Sequence, residues 1–292
     1  MTNLSFLRSL TFIRLKITFR AVEQIILPEY KGSAFRGCLG EAFKKMACSR
    51  PGHECKSCNI RFHCDFSKLF NSYVNDLHPY HRKYVTSPHA YIISPMSGQK
   101  TNFEPGETFW FEITLMGSAI EMFPLLVSVF GQMGKTGIGK GHRKFIPVKL
   151  EYLDPELNYI ELLHFSKPEI LSISKLPVPA VDNRLSLKFE TPLRLKKEGK
   201  LMKTPPEFNL FTGRLLQRLS LLAHFHCGAP WPDEAVDFPF ETRHEVKISR
   251  SQLQWVDWKR YSGTQDVKMN FDGQTGTISY AGDLKKWMPL IA

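Results

Sequence analysis

Nowhere in its 292 residues does the chain hold an apolar run approaching the roughly 20 residues a bilayer-spanning helix needs. Its first 20 residues are interrupted by Arg8, Arg14, Lys16 and Arg20. They lack the unbroken apolar segment and small-residue cleavage site of a secretory leader. These absences point to a cytoplasmic protein with no membrane partner. Acidic residues are in deficit: 28 Asp and Glu stand against 39 Lys and Arg, for a net charge of +11. Such a balance favours a polyanionic partner, nucleic acid or an anionic surface, over a basic surface with no role. Cysteine is sparse, six in all. In a reducing compartment these read as thiols or metal ligands rather than disulfides. There is no G-x-S-x-G, no H-E-x-x-H and no paired-carboxylate pattern, which sets aside acyl transfer, zinc proteolysis and glycoside hydrolysis. Core material is ample, with 42% apolar, 12% aromatic and 23% charged residues, so wholesale disorder is excluded. The length suggests two domains at about 150 residues each.

Residues 14–19 alternate polar and apolar, the pattern of a half-buried strand. Pro28–Gly32 breaks it. Ala34, Cys38, Ala42 and Met46 then recur four apart, flanked by Phe35, Leu39 and Phe43, which predicts a helix with Ser33 as its N-cap. Residues 84–94 read as an edge strand, because Pro88 cannot donate to a ladder. Phe109, Phe111, Ile113 and Leu115 alternate as a second clear strand. Residues 119–133 have helical spacing, and Phe145–Tyr152 reads as a strand. Strand, helix, two strands, helix, strand is the split βαβ, ferredoxin-like order. Pro168, Pro177 and Pro179 mark 155–183 as a linker. A second unit begins with an alternating strand at Leu185–Thr191, followed by a helix over about 207–225 and two or three strands between 241 and 281. The expectation is an α+β protein: a ferredoxin-like domain at 1–154 with a cysteine-rich insertion at 48–64, and a second at 184–292 that lacks a closing helix and strand.

Chemistry concentrates in three places. Gly131–Lys144 holds five glycines with Lys135, Lys140, Arg143 and Lys144. Glycines allow tight turns that bring backbone N–H groups to an anion, and the cations add charge. The segment lies after a helix and before a strand, so it is neither a Walker A loop nor a Rossmann fingerprint. It reads as a phosphate-backbone contact, the alternative being a plain basic hairpin. Cys48-x6-Cys55-x2-Cys58-x5-Cys64 places four thiols in 17 residues. The set suits a structural zinc ion or an iron–sulfur cluster, with His53 or His63 able to replace a thiol. The alternative is four unrelated buried cysteines. Cys38 and Cys227 read as core. Tyr30–Gly37 is a turn entering a helix N-terminus, where phosphate is favoured, with Lys31 and Arg36 beside it. The alternative there is a capped helix with solvated cations. His224 and His226 close an apolar helix as packed or capping groups.

In order and spacing, the chain resembles the CRISPR-associated repeat-processing endoribonucleases of the RAMP superfamily. The resemblance runs through LPEYKGSAFRGCLGEAF (27–43), CDFSKLF (64–70), FEPGETFWFEITLMG (103–117), GQMGKTGIGKGHRKF (131–145), LSLKFETPLRLKKEGKL (185–201) and LFTGRLLQRLSLLAHFHCG (210–228), and closes with 257–292. It implies two tandem ferredoxin-like domains that bind CRISPR repeat RNA, not DNA, and cut it once. The 2′-hydroxyl attacks the neighbouring phosphorus without a metal, by general acid–base catalysis. Other CRISPR effector subunits are the implied protein partners. Family members usually continue into a second glycine-rich loop and closing strand past the position of Ala292, which leaves a truncated, split or degenerate protein as an expectation. They often carry a histidine just after the Leu-Gly of the first helix, where this chain has Glu41. The resemblance then points to His53, with His81 next, and to Tyr30 and Lys31 as helpers. The competing reading is a non-catalytic RNA-binding subunit or a degenerate paralogue. A third reading is a metal-binding module whose basic charge serves a protein partner.

Overall fold

Ile13, Leu15, Ile17 and Phe19 turn one face of strand β1 (Thr11–Ala21) inward, while Arg14, Lys16 and Thr18 stand on the other. The structure is a computed structural model that describes residues 5–291 except 97, 99, 164, 165, 181, 232–244, 258, 263–266 and 271. It divides into two units. Leu7–Lys175 with Leu221–Pro230 form the first, and Leu176–Ser220 with the described residues beyond Pro230 form most of the second. These boundaries differ from the expected 1–154 and 184–292, because residues 221–230 group with the first unit.

In the first unit β1 is central. It is followed by helix α1 (Gly32–Ala47), strands β2 (Tyr91–Pro95) and β3 (Thr108–Met116), helix α2 (Phe123–Thr136) and strand β4 (Phe145–Leu153). The strands pair antiparallel in the order β2-β3-β1-β4. That is the ferredoxin-like arrangement the strand and helix order predicts. Phe35, Leu39 and Phe43 of α1 and Leu126, Phe130 and Met133 of α2 share one core with the inward residues of β1 and β3. Phe19, Phe109, Phe111 and Phe145 stack at its centre, with ring centroids 5.0–5.8 Å apart.

Several local expectations change. Helix α1 starts at Gly32, so Ser33 lies inside the first turn and Lys31 takes the cap position without a side-chain bond. Of the stretch 84–94 only Tyr91–Ser94 joins the sheet, as part of the edge strand Tyr91–Pro95. The second helix is preceded by a 3₁₀ segment, Gly117–Met122, and Pro124 sits in its first turn, where a missing N–H costs nothing. The stretch 155–183 is more than a linker. Strand β5 (Tyr159–Glu161) extends the sheet beyond β4, and β6 (Leu171–Ser172) pairs with the start of β1.

The second unit contains β7 (Arg184–Leu193), α3 (Phe208–Cys227), whose last turns belong to the first unit, β8 (Lys247–Val256), β9 (Gly273–Ala281) and the one-turn helix α4 (Met288–Ile291). The three strands pair antiparallel in the order β8-β9-β7, which repeats β2-β3-β1 of the first unit. Among the described residues no strand takes the place β4 has in the first sheet. Residues 241–244 of the expected strand region lie outside the described residues. Phe208, Leu216, Ile278, Tyr280 and Trp287 form the core. The buried Tyr280 hydroxyl donates to the carbonyl of Pro206 at 2.8 Å, and burial raises its pKa. No helix among the described residues is long and apolar enough to cross a membrane.

Candidate nucleic-acid interface

Helix α2 ends where Gly137 turns the chain with φ 87°. Ile138 and Arg143 then pair, Ile138 N–H donating to Arg143 O at 3.0 Å and Arg143 N–H to Ile138 O at 3.1 Å. Residues 139–142 become the tip of a tight hairpin. A Cβ on Gly137 would lie 2.0 Å from His142 O, and one on Gly139 2.7 Å from Ile26 O. Both positions have positive φ, so the hairpin needs glycine for space and for conformation alike. Ile138 is buried and anchors the hairpin in the core.

Lys140 and Arg143 on this hairpin, Lys135 in the last turn of α2 and Lys144 just after the hairpin are all exposed. Among the described residues none of the four is in an ion pair. Lys144 has local work, its Nζ donating to the carbonyls of Lys135 at 2.8 Å and Thr136 at 3.3 Å, which closes the C-terminus of α2. His142 is exposed at the tip with φ 48°, an uncommon left-handed backbone for a residue other than glycine. Beside the hairpin, the Cys38 thiol of α1 donates to Gly137 O at 3.3 Å, and burial pushes it up to about 12. Cys38 is core, as expected. Cys227 is half-buried, and burial raises its thiol too.

The other site residues fall elsewhere. Lys31 is 1% exposed, and its Nζ donates to Glu29 O at 3.2 Å and Gly98 O at 3.1 Å. Burial lowers its pKa, against the pull of Glu29. Its charge is buried on two carbonyls and holds a turn together, which differs from the exposed helper that the resemblance implies. Tyr30 is half-buried, its ring against Gly32. Arg36 is half-buried and donates from Nε to Tyr91 Oη at 2.9 Å, tying α1 to the edge strand. Glu41, where a histidine was expected, is on the exposed side of α1 in an ion pair with Lys45 at 3.0 Å.

His53 lines one pocket with Cys48, Cys55, Cys58 and Cys64. That pocket begins at the residue after α1, whereas Tyr30 and Lys31 precede the helix. Its 16 residues put about 24 Å between the two ends at 1.5 Å per residue, so His53, Tyr30 and Lys31 do not form one site. The four thiols are free and half-buried. As placed, no group of three or more His, Cys, Asp or Glu side chains among the described residues could hold a metal ion. Cys48, Cys55, Cys58 and Cys64 share one pocket without forming a ligand set as placed.

Two features escaped the sequence. Ser67 also lines the cysteine pocket, 2% exposed, with no hydrogen-bond partner for its Oγ among the described residues. His78 meets His224 with their Nε2 atoms 3.3 Å apart. Tyr80 N–H donates to His78 Nδ1 at 3.2 Å, and His224 Nδ1 faces Ala229 O at 2.9 Å. With both rings neutral, these partners assign the proton between them to His78, which donates to His224. His81 Nδ1 lies 3.0 Å from His78 O. These partners are far apart in sequence, and no spacing rule connects them.

Two ferredoxin-like units in tandem, the first carrying an exposed cationic glycine hairpin, define the class as an α+β protein. Residues 10–170 match the AF_1859_N model, described as an N-terminal domain, and residues 187–292 match CRISPR-associated endoribonuclease Cas6. The first of these matches spans more than half of the chain, which therefore belongs to the AF_1859_N family, while the Cas6 match is confined to residues 187–292. Among solved structures it is similar to a Cas6 product complex (TM-score 0.55, 12% identity, covering 96% of this chain and 89% of that one). It is also similar to Thermus thermophilus Cas6 (TM-score 0.53, 11% identity, 97% and 88%). A partial Cas6-RT-Cas1–Cas2 complex matches at TM-score 0.55 and 10% identity, over 93% of this chain and 40% of that one. A search of curated proteins finds no match.

Proposed function

We propose that the protein binds CRISPR repeat RNA and cleaves it once, without a metal in the reaction. The observation that carries this is the hairpin seated in the core by Ile138, with four exposed cations on and beside it. None is in a side-chain ion pair among the described residues, and the one carboxylate in contact is that of Glu23, which accepts from the Lys144 backbone N–H at 2.7 Å. Phosphates are held by such clusters without regard to sequence, and the Cas6 match supplies the substrate class. In the reaction, a neutral imidazole takes the proton of the 2′-hydroxyl. The 2′-oxygen forms a bond to phosphorus, and the bond to the 5′-oxygen breaks. That oxygen leaves with a proton from an acid, and the products carry a 2′,3′-cyclic phosphate and a 5′-hydroxyl. Lys140 and Arg143 offset the charge gathering on the phosphoryl oxygens. His142 is the imidazole on the hairpin itself, and no described hydrogen bond or ring contact joins His53 to it. His142 therefore replaces His53 as the general base in this reading. The match to a Cas6-RT-Cas1–Cas2 complex supports protein partners as well.

The test is cleavage of a panel of repeat hairpins in EDTA, with product ends mapped, by wild type, His142→Ala, His53→Ala and His81→Ala. The expected result is a single cut by wild type, lost at least 100-fold in His142→Ala with RNA binding retained. Wild-type rates in His142→Ala overturn that residue's role. Tight binding by a wild type that never cuts favours the RNA-binding subunit, a reading to which Glu41 in place of a histidine lends support. Binding without salt dependence would remove both.

A further inference from the structure

The proposed RNA site makes no use of the cysteine pocket. We propose that Cys48, Cys55, Cys58 and Cys64 ligate a single zinc ion as four thiolates, a structural centre that braces the loop following α1.

Four observations converge on it. The cysteines come from a stretch with no strand or long helix, yet all four line one pocket. The chain between them is wound in tight turns, with Cys58 N–H donating to Cys55 O at 3.4 Å, Arg61 N–H to Cys58 O at 3.1 Å and Cys64 N–H to Ile60 O at 2.9 Å. Such turns preset the backbone of ligands two to six residues apart. Ser67, on the same pocket, keeps a buried hydroxyl without a partner among the described residues. A buried donor of this kind is costly unless something accepts from it. A zinc-bound thiolate sulfur is such an acceptor, and outer-shell donors to ligands are a regular part of metal sites. Arg50 and Arg61 also line the pocket. Four thiolates around Zn²⁺ carry a net double negative charge, which Arg50 offsets in part, while Arg61 also pairs with Asp76 at 3.1 Å.

As placed, the four thiols do not converge on a common point. Metal binding and the ordering of ligands are coupled, and a zinc centre here requires that coupling to bring the sulfurs to bonding distance. A four-protein-ligand centre leaves no open position for substrate, so this ion takes no part in RNA cleavage.

The experiment uses the full chain, expressed with zinc in the medium and purified without chelator. Elemental analysis should find about one zinc per chain, released stoichiometrically when a mercurial reagent titrates the thiols. Replacement by cobalt should give the absorption bands of a tetrahedral thiolate site. Cys55→Ser and Cys58→Ser should lower zinc content at least tenfold. Ser67→Ala should keep the ion but weaken its affinity about 10–100-fold in chelator competition. Should the cysteine variants misfold, the wild type alone decides. A folded wild type without zinc, whose four thiols react at once with a disulfide reagent, overturns the proposal. Iron with visible absorbance in place of zinc overturns the single-ion centre. Loss of zinc in His53→Ala, with one cysteine dispensable, overturns the four-thiolate set. RNA cleavage or its absence bears on none of these outcomes.

Discussion

A thiol pushed up to about 12, as Cys38 is by burial, holds almost no thiolate at neutral pH. Cys38 should therefore resist alkylation at pH 8 in the folded chain and react only after denaturation, as peptide mass spectrometry can record. His78 makes the converse case. Burial, then the neighbouring His224 and His81, lower its pKa from the ordinary 6.5. The unfolded segment thus takes a proton at higher pH than the folded one. The His78–His224 contact contributes fully above about pH 6.5 and is lost as pH falls through the lowered folded value. Protonating His224 would also set two donors against each other. Exchange protection of residues 74–86, corrected for intrinsic rate, should fall from about pH 7 to about pH 5, and His78→Gln should abolish the dependence. At this scale the sequence told little. The buried state of Cys38 follows from its place on the apolar stripe of α1. Lys31, by contrast, looked like a phosphate ligand beside a helix N-terminus and is buried on two carbonyls. One of its acceptors, Gly98, lies 67 residues away, and no local pattern announces such a partner.

Elements were more legible, because periodicity is a local property. The alternation at 14–19 and the four-residue spacing from Ala34 marked β1 and α1 well inside their true bounds. Glycines among cations marked the hairpin. Their reason became visible only in three dimensions: Gly137 meets His142 O and Gly139 meets Ile26 O. Gly137→Ala and Gly139→Ala should each push the tip off its seat. In filter binding, RNA affinity should drop about tenfold or more, as it would if one or two cations no longer reached a phosphate, while the unfolding midpoint moves by a few degrees. Unchanged affinity in both variants would show that the hairpin's shape is immaterial to binding. The stretch 155–183 misled because three prolines suggested a linker. Its strands β5 and β6 are two or three residues long, too short for any period to register.

For the molecule as a whole, +11 of formal charge predicts RNA binding governed by counterion release. Replacing Lys135, Lys140 and Arg143 together by alanine should reduce the slope of log K against log salt by about 2–2.7, at about 0.7–0.9 per phosphate neutralised. A slope unchanged in fluorescence titrations over a salt series would place the phosphate track elsewhere. The sheet of the first unit also has a consequence during synthesis. Strand β1 hydrogen-bonds to β3, β4 and β6, and every one of these is made later, at Thr108–Met116, Phe145–Leu153 and Leu171–Ser172. A ribosome adding about 5–20 residues per second leaves β1 waiting roughly 7–26 seconds for β4. Until Met116 completes β3, about 5–19 seconds at that rate, its inward row of Ile13, Leu15, Ile17 and Phe19 has no sheet to enter, and a nascent chain in this state is open to pairing with another copy. Arg14, Lys16 and Arg20, interleaved along the same strand, act as electrostatic gatekeepers for it. They are charges whose service on the ribosome precedes any contact the finished protein makes.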